Sequence, residues 1–198
     1  MGNFIGDFMG SLGGEVTKQI SSTLNLDQKQ VSQMIPQVAP LILGGLKKQK
    51  DEHGGEARID HILNKYGSAS VLDNLGDLFS SKATDNNPDP DLGGLLAGSG
   101  NQAANLLSQN FNLDTGTATK LIPMLAPVIL GFLTKKRDQD GLGSSGIGSL
   151  LDQDGDGSIL DDVAGFLLQG MGGTSQKKQS GGLLGGLLGG LLGGRKGR

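Results

Sequence analysis

The chain is expected to be all-α: a multihelical domain built from an internal duplication, two copies of a roughly four-helix unit, followed by a flexible Gly/Leu-rich tail. Three observations in its 198 residues predict this. Apolar residues recur at three- and four-residue steps, the period of a helix, rather than alternating as in a half-buried strand. Short motifs return at a fixed spacing, the mark of an internal repeat. The 36 glycines, far above a usual share of ~7%, crowd the ends of apolar stretches and the C-terminus.

The repeat sets the boundaries. Asn25-Leu26-Asp27 returns as Asn112-Leu113-Asp114, Ile35-Pro36 as Ile122-Pro123, Ala39-Pro40 as Ala126-Pro127, and Ile42-Leu43-Gly44 as Ile129-Leu130-Gly131, each 87 positions on (36 to 123). The spacing then grows to 88 (72 to 160): Leu63-Asn64 matches Leu151-Asp152, Gly67 matches Gly155, and Leu72-Asp73 matches Leu160-Asp161. A duplicated helical domain is thus expected over residues 1–170, with copy one at 4–81, a linker at 82–90 and copy two at 91–169. The linker holds the turn formers Thr84-Asp85-Asn86-Asn87-Pro88-Asp89-Pro90. Residues 171–198 form the low-complexity tail.

The N-terminal stretch MGNFIGDFMGSLGG has neither a basic start nor a continuous apolar run, so it does not read as a signal peptide and a cytoplasmic location is expected. In copy one, Val31, Met34, Ile35, Val38, Leu41, Ile42 and Leu46 make the apolar stripe of the next helix. Asp27 stands where an N-cap accepts the first free backbone N–H groups, and Gln30 completes a box-like spacing after it. Pro36 and Pro40 each delete an i to i−4 hydrogen bond, so this helix is expected to kink or restart. One reading of these prolines is a kinked groove lined by free carbonyls; the plainer one is a bend that lets helices wrap a core. A third helix carries Ile59, Ile62, Leu63 and Tyr66 and stops at Gly67, and a fourth carries Val71, Leu72, Leu75, Leu78 and Phe79. Copy two repeats the pattern with Asp114 or Thr115 as cap, Pro123 and Pro127 inside, and Ala118, Leu121, Ile122, Leu125, Val128, Ile129 and Leu133 apolar. The runs 34–46 and 121–133 are strongly apolar but well short of the ~20 residues a bilayer requires, and they read as buried core helices.

The sharpest chemical signal is Asp152-Gln153-Asp154-Gly155-Asp156-Gly157-Ser158-Ile159. Acids at loop positions one, three and five, Gly at six and an apolar residue at eight match the first eight positions of a calcium loop, where alternate residues around a tight turn converge oxygens on a hard cation. Position twelve is Val163, where a bidentate Glu belongs. The expected ligand set is Asp152, Asp154, Asp156, Ser158 through its carbonyl, and Asp162. Copy one has Asn64, Tyr66, Ser68 and Asn74 at the positions of Asp152, Asp154, Asp156 and Asp162, whereas Asp161 has an acidic counterpart in Asp73, so Asp161 reads as a helix-start charge. An incomplete set implies weak calcium binding, on the order of 10⁻⁴ to 10⁻³ M. The alternative is an Asp-Gly turn with solvated carboxylates.

Other chemistry is excluded more readily. The chain has no Cys, which removes disulfides, thiolate metal sites and thiol nucleophiles. A net charge of -3 and 4% aromatics offer no broad basic field and little to stack on bases, so no nucleic-acid partner is expected. His53 and His61 read as surface residues, no nucleophile elbow accompanies them, and an enzyme is not expected. The tail repeats Gly-Gly-Leu-Leu from Gly181 and ends Arg195-Lys196-Gly197-Arg198. So much Gly disfavours a helix in water, but small residues four apart permit close helix contact in an apolar setting, and the basic end suits an anionic membrane surface.

The Leu-Ile-Pro-x-Leu-Ala-Pro-x-Ile-Leu-Gly-x-Leu run, the Leu-Leu-Asp-x-Asp-Gly-Asp-Gly-Ser loop and the Gly/Leu tail resemble a bacterial family of unknown function, the one grouped with YidB-like proteins. The resemblance covers roughly residues 4–169 and implies an all-α fold and a bacterial source. It implies no activity and transfers no functional residue. Three functions follow as expectations: a non-enzymatic helical scaffold that self-associates or binds a protein partner, a weak calcium-binding module, and a peripheral membrane protein using the tail.

Overall fold

The computed structural model describes residues 4–85, 100–141 and 146–147. Every regular element among them is helical. Helix α1 (Phe4–Phe8) passes through a π-helical turn (Met9–Gly13) into α2 (Gly14–Leu24), followed by α3 (Gln28–His53) and α4 (Gly55–Tyr66). A 3₁₀ turn (Ala69–Asp73) leads to α5 (Leu75–Thr84), and the later part of the chain contributes α6 (Gly100–Phe111) and α7 (Thr115–Asp140).

The junctions are built twice, 87 residues apart. Asn25 and Asn112 both take the left-handed conformation, at φ 52° and 51°, which ends α2 and α6 by turning the chain back on itself. In each case the next backbone N–H reaches back to a serine carbonyl: Leu26 to Ser21 and Leu113 to Ser108, both at 3.0 Å. The serine hydroxyl in turn donates to the carbonyl of that leucine. Asp27 then caps α3 by accepting from the Gln30 N–H at 3.0 Å, and Asp114 caps α7 by accepting from the Thr117 N–H at 2.9 Å. Hydrogen bonds from the Thr117 side chain and backbone hold the Asp114 carboxyl below its ordinary pKa. Asp114 rather than Thr115 is therefore the cap. Gln30 does not close the expected box: its side-chain amide donates instead to the Phe111 carbonyl at 2.6 Å, tying α3 to the end of α6. Gly54 and Gly141, also 87 apart, end α3 and α7 at positive φ, 126° and 61°.

Both proline-bearing helices run unbroken through 26 residues, so the expected restart does not occur. The cost is confined because prolines four apart share a face. The carbonyls that lose a partner belong to Ser32, Pro36, Thr119 and Pro123, none of them buried, and water can take the place of the missing N–H. Burial of the rest of each helix, Pro40 and Pro127 included, holds it together. Helix α4 ends at Gly67 as expected, whereas the expected fourth helix is split at Asn74 into the 3₁₀ turn and α5. Helix α5 also continues to Thr84, past the expected end of copy one at Ser81.

Helix α7 is the centre. It packs against α3, α4, α5, α6 and the 3₁₀ turn. From Leu121 to Thr134 every residue except Pro123 is buried. Over an 18-residue window it is apolar enough to cross a membrane, with mean hydropathy 1.5, but 72% of that window lies inside the protein. Phe132 meets the rings of Phe4 and Phe8 edge-on, each at 5.4 Å between centroids, and so fixes α1 against α7. On another side backbones touch. A Cβ on Gly67 would lie 2.9 Å from the Leu130 carbonyl oxygen, and one on Gly131 would lie 2.9 Å from the Ser68 carbonyl oxygen and 3.5 Å from Leu72 Cδ2. Only glycine allows the turn after α4 to sit so close to α7.

Two outcomes follow from this packing. Ile35 and Ile122, 0% and 5% exposed, precede the first prolines of α3 and α7. Truncating either to Ala should cost about 2 to 5 kcal/mol in urea denaturation, and a loss below about 1 kcal/mol would contradict their burial. A fragment of residues 1–84 lacks α7, so it should give a molten or aggregating product by circular dichroism and calorimetry. A sharp cooperative melt of that fragment would show that copy one has a sufficient core of its own.

Candidate functional site

The expected calcium ligands Asp152, Asp154, Asp156, Ser158 and Asp162 all lie outside the described residues, as does the tail 171–198. The residues 88 positions earlier are described: Asn64 and Tyr66 lie in the last turn of α4, and Ser68 and Asn74 flank the 3₁₀ turn that leads to α5. There Ser68 Oγ lies 2.7 Å from Ser70 Oγ, the Lys65 ammonium sits 4.7 Å above the Tyr66 ring, and the Asn74 N–H bonds the Val71 carbonyl at 3.4 Å. That turn carries no converging carboxylates. Asp73 closes the 3₁₀ turn ahead of α5, and the acid in the first turn of α5 is Asp77. The counterpart of Asp161 is thus a residue before the helix rather than in its first turn.

Two surface grooves flank α5. At its C-terminal end, Lys82 and Asp85 face Thr115, Gly116, Thr119, Lys120 and Pro123 of α7 around a cavity of about 360 Å³. The Lys82 ammonium is 3.7 Å from Asp85, and Lys120 donates to the Ala83 carbonyl at 3.5 Å, so both lysines are held at the rim. Thr119 carries one of the carbonyls that a proline leaves without an intrahelical partner. The proline face of α7 therefore lines a groove with Lys82, Lys120 and Asp85 at its rim and a largely apolar wall, while the α3 prolines line neither of these two grooves.

At the N-terminal end of α5, Glu15 and Gln19 of α2 face Leu72, Asp73, Asn74, Leu75, Gly76 and Asp77 around a cavity of about 410 Å³. Three carboxylates and no cation line it. Gln19 is held by donating to Glu15 at 2.7 Å. No set of three or more acidic, His or Cys side chains among the described residues converges as a metal site. Sequence reasoning missed both grooves, because each is assembled from elements distant in the chain and no local motif marks it. His53 and His61 are exposed, as expected.

Charge pairs tie the rest of α7 in place. Lys136 donates to Asp7 and joins α7 to α1, and Arg137 lies 3.4 Å from Asp60 of α4. Between α3 and α4, the buried Gln49 accepts from Arg58 at 3.1 Å.

A chain whose regular elements, among its described residues, are all helices, packed around one apolar helix and grooved at both ends of a short surface helix, belongs to the class of small α-helical domains. Residues 7–136 match the family model described as a bacterial protein of unknown function (DUF937), and the chain belongs to that family. The match takes in all of α3 and α7 as far as Lys136, and agrees with the resemblance to YidB-like proteins. No curated protein matches the chain, and no solved structure does.

The Lys136 pair generates a pH dependence. The hydrogen bond to Asp7 raises the Lys136 pKa above 10.5 against the lowering effect of desolvation, with the charges of Asp7 and Asp140 adding to the rise. A raised cation stabilises the fold fully below its unfolded pKa, and the contribution is lost as pH climbs through the folded value. Denaturation of the wild type should therefore show falling stability above the ordinary lysine pKa. Lys136→Met should be less stable at neutral pH and lose less on the alkaline side; an identical alkaline slope would show that the pair contributes nothing.

Proposed function

We propose that this protein works by association, as a non-enzymatic helical scaffold that binds other copies of itself or a partner protein. The observation that carries the reading is the pair of grooves of opposite net charge at the two ends of α5, one lined by Glu15, Asp73 and Asp77 and the other by Lys82 and Lys120 against the single acid Asp85. A ten-residue helix is about 15 Å long, so the grooves are distinct patches, and two molecules can bring the acidic groove of one to the basic groove of the next. Such a contact is heterologous and extends to rings or chains. We also infer that the two sets of helices are copies of one unit. Supporting this are the repeated motifs, the matched Asn25 and Asn112 conformations and the matched Asp27 and Asp114 caps. The Gly/Leu tail suits the same role, against another chain or an anionic membrane surface.

Charge reversal tests the association. The wild type should sediment as larger species at low salt and dissociate as salt screens the contact. Lys82→Glu with Lys120→Glu should abolish assembly, and so should Asp73→Lys with Asp77→Lys. Mixing the two variants should restore it, since each then offers what the other lost. A wild type that stays monomeric at every salt and protein concentration sinks the proposal.

A second reading rests on the sequence of the acidic loop. We propose that Asp152, Asp154 and Asp156, with the Ser158 carbonyl and Asp162, bind calcium weakly. A cation that binds only the folded state stabilises it by RT ln(1 + [L]/Kd), so millimolar calcium should raise the melting temperature. Asp154→Asn should remove that shift while leaving the metal-free melt nearly unchanged. No shift in the wild type, and no heat on calorimetric titration, would leave the loop an acidic turn.

A further inference from the structure

Helices α3 and α7 share a pattern of small and apolar residues but not the same degree of cover. On α7, Met124, Val128 and Gly131 lie on one face, spaced four and three residues apart, and all three are buried. The cover on that side of Gly131 is known in detail: the Ser68 carbonyl and the Leu72 side chain lie against it, and Gly67 lies against the Leu130 carbonyl. The corresponding strip of α3, 87 residues earlier, is Gln37, Leu41 and Gly44, and all three are only half-buried.

The residues that make the close contact recur at the equivalent places. Leu130 and Gly131 of α7 correspond to Leu43 and Gly44 of α3, and Gly67 and Leu72 correspond to Gly155 and Leu160. A glycine needed only where two backbones meet has no reason to return at both partners unless the meeting returns as well. The chain between is of matching length. Fourteen positions lead from His53, the end of α3, to Gly67, and fifteen lead from Asp140, the end of α7, to Gly155. The path is also marked halfway, because Ile147 is helical and 0% exposed, as is its counterpart Ile59 in α4.

We infer that the Gln37, Leu41 and Gly44 face of α3 is the docking surface for residues 155–167 of the same chain, seated as residues 67–79 seat on α7. The inference rests on the reading of the chain as two copies of one unit. It requires neither calcium nor self-association. Its chemical consequence is that Gly155, which stands between Asp154 and Asp156, is pinned against the Leu43 carbonyl, so the backbone of the acidic stretch is set by α3 and not by a cation.

The absence of native Cys makes a cross-linking test clean. In the full chain, Lys48→Cys is paired with Gln153→Cys. The control pair, Lys135→Cys with Lys65→Cys, occupies the equivalent places around the Gly131 and Gly67 contact, where Lys135 and Lys65 are both exposed. Each is treated with a short bis-maleimide in dilute solution, with calcium and with chelator, and analysed by mass spectrometry after tryptic digestion. The expected result is a monomeric, intrachain link in both pairs, at matching yield and unaffected by chelator. A control that links while Lys48→Cys with Gln153→Cys does not would overturn the docking. A link in the latter pair found only between two molecules would also overturn it, making a second copy the occupant. A link that forms only with calcium would overturn the independence from the cation. If neither pair links, the equivalence of the two halves fails at its known end and the inference falls with it. Sedimentation of the same samples reports self-association separately.

Discussion

The fold depends on the burial of α7. A helix apolar on nearly every side cannot remain at a surface, and most of the other elements cover part of it: α1 through the Phe4, Phe8 and Phe132 rings, the turn after α4 through backbone contact at Gly67 and Gly131, and α3, α4, α5 and α6 by packing alongside. Burying each large aliphatic side chain contributes roughly 1.5 to 3 kcal/mol, so a run such as Leu121 to Leu133 outweighs any polar contact in the molecule. Exposed ion pairs such as Lys48 with Glu52 contribute little by comparison.

Polar groups instead decide where helices begin, end and meet. The carboxylates of Asp27 and Asp114 start the two long helices, and the left-handed asparagines ahead of them set the angle of approach. Gln30 then links α3 to the Phe111 carbonyl, so one junction is latched by the other. The oppositely charged grooves arise from the same economy: α5 carries Asp77 near its N-terminus and Lys82 near its C-terminus, each favourable to the helix dipole, and neighbouring acids or lysines enlarge each end into a patch.

Much of this was legible in the residues, and the reasons differ by scale. Helical class, the Asp27 cap, the choice of Asp114 or Thr115 as its counterpart and the stop at Gly67 are local and obey spacing rules. The burial of Ile35 and Ile122 followed from the stripe they share with their neighbours. What could not be read depended on tertiary support. Pro36 and Pro123 suggested a kink or a restart, and of these the restart does not occur, because buried packing carries the helix past a missing hydrogen bond. Gln30 suited a capping box until the Phe111 carbonyl offered a better-placed acceptor. The two grooves draw on α2, α5 and α7, and no window of sequence contains them. The acidic loop at 152–158 was the plainest motif in the chain, and it falls outside the described residues.

The position of α7 late in the chain has a consequence for synthesis. Of the elements that pack on it, all but α6 are complete by Thr84, yet its own last residue is Asp140. At a translation rate of 5 to 20 residues per second, the interval between the two is about 3 to 11 s. Through that interval the apolar stripe of α3 has no α7 to pack against, and the nascent chain is exposed to pairing with its neighbours on the ribosome. Pro36 and Pro40 stand in the middle of that stripe, where they bar it from joining a β-ladder. A pair of residues that the finished helix merely tolerates thus guards the chain while it is still being made.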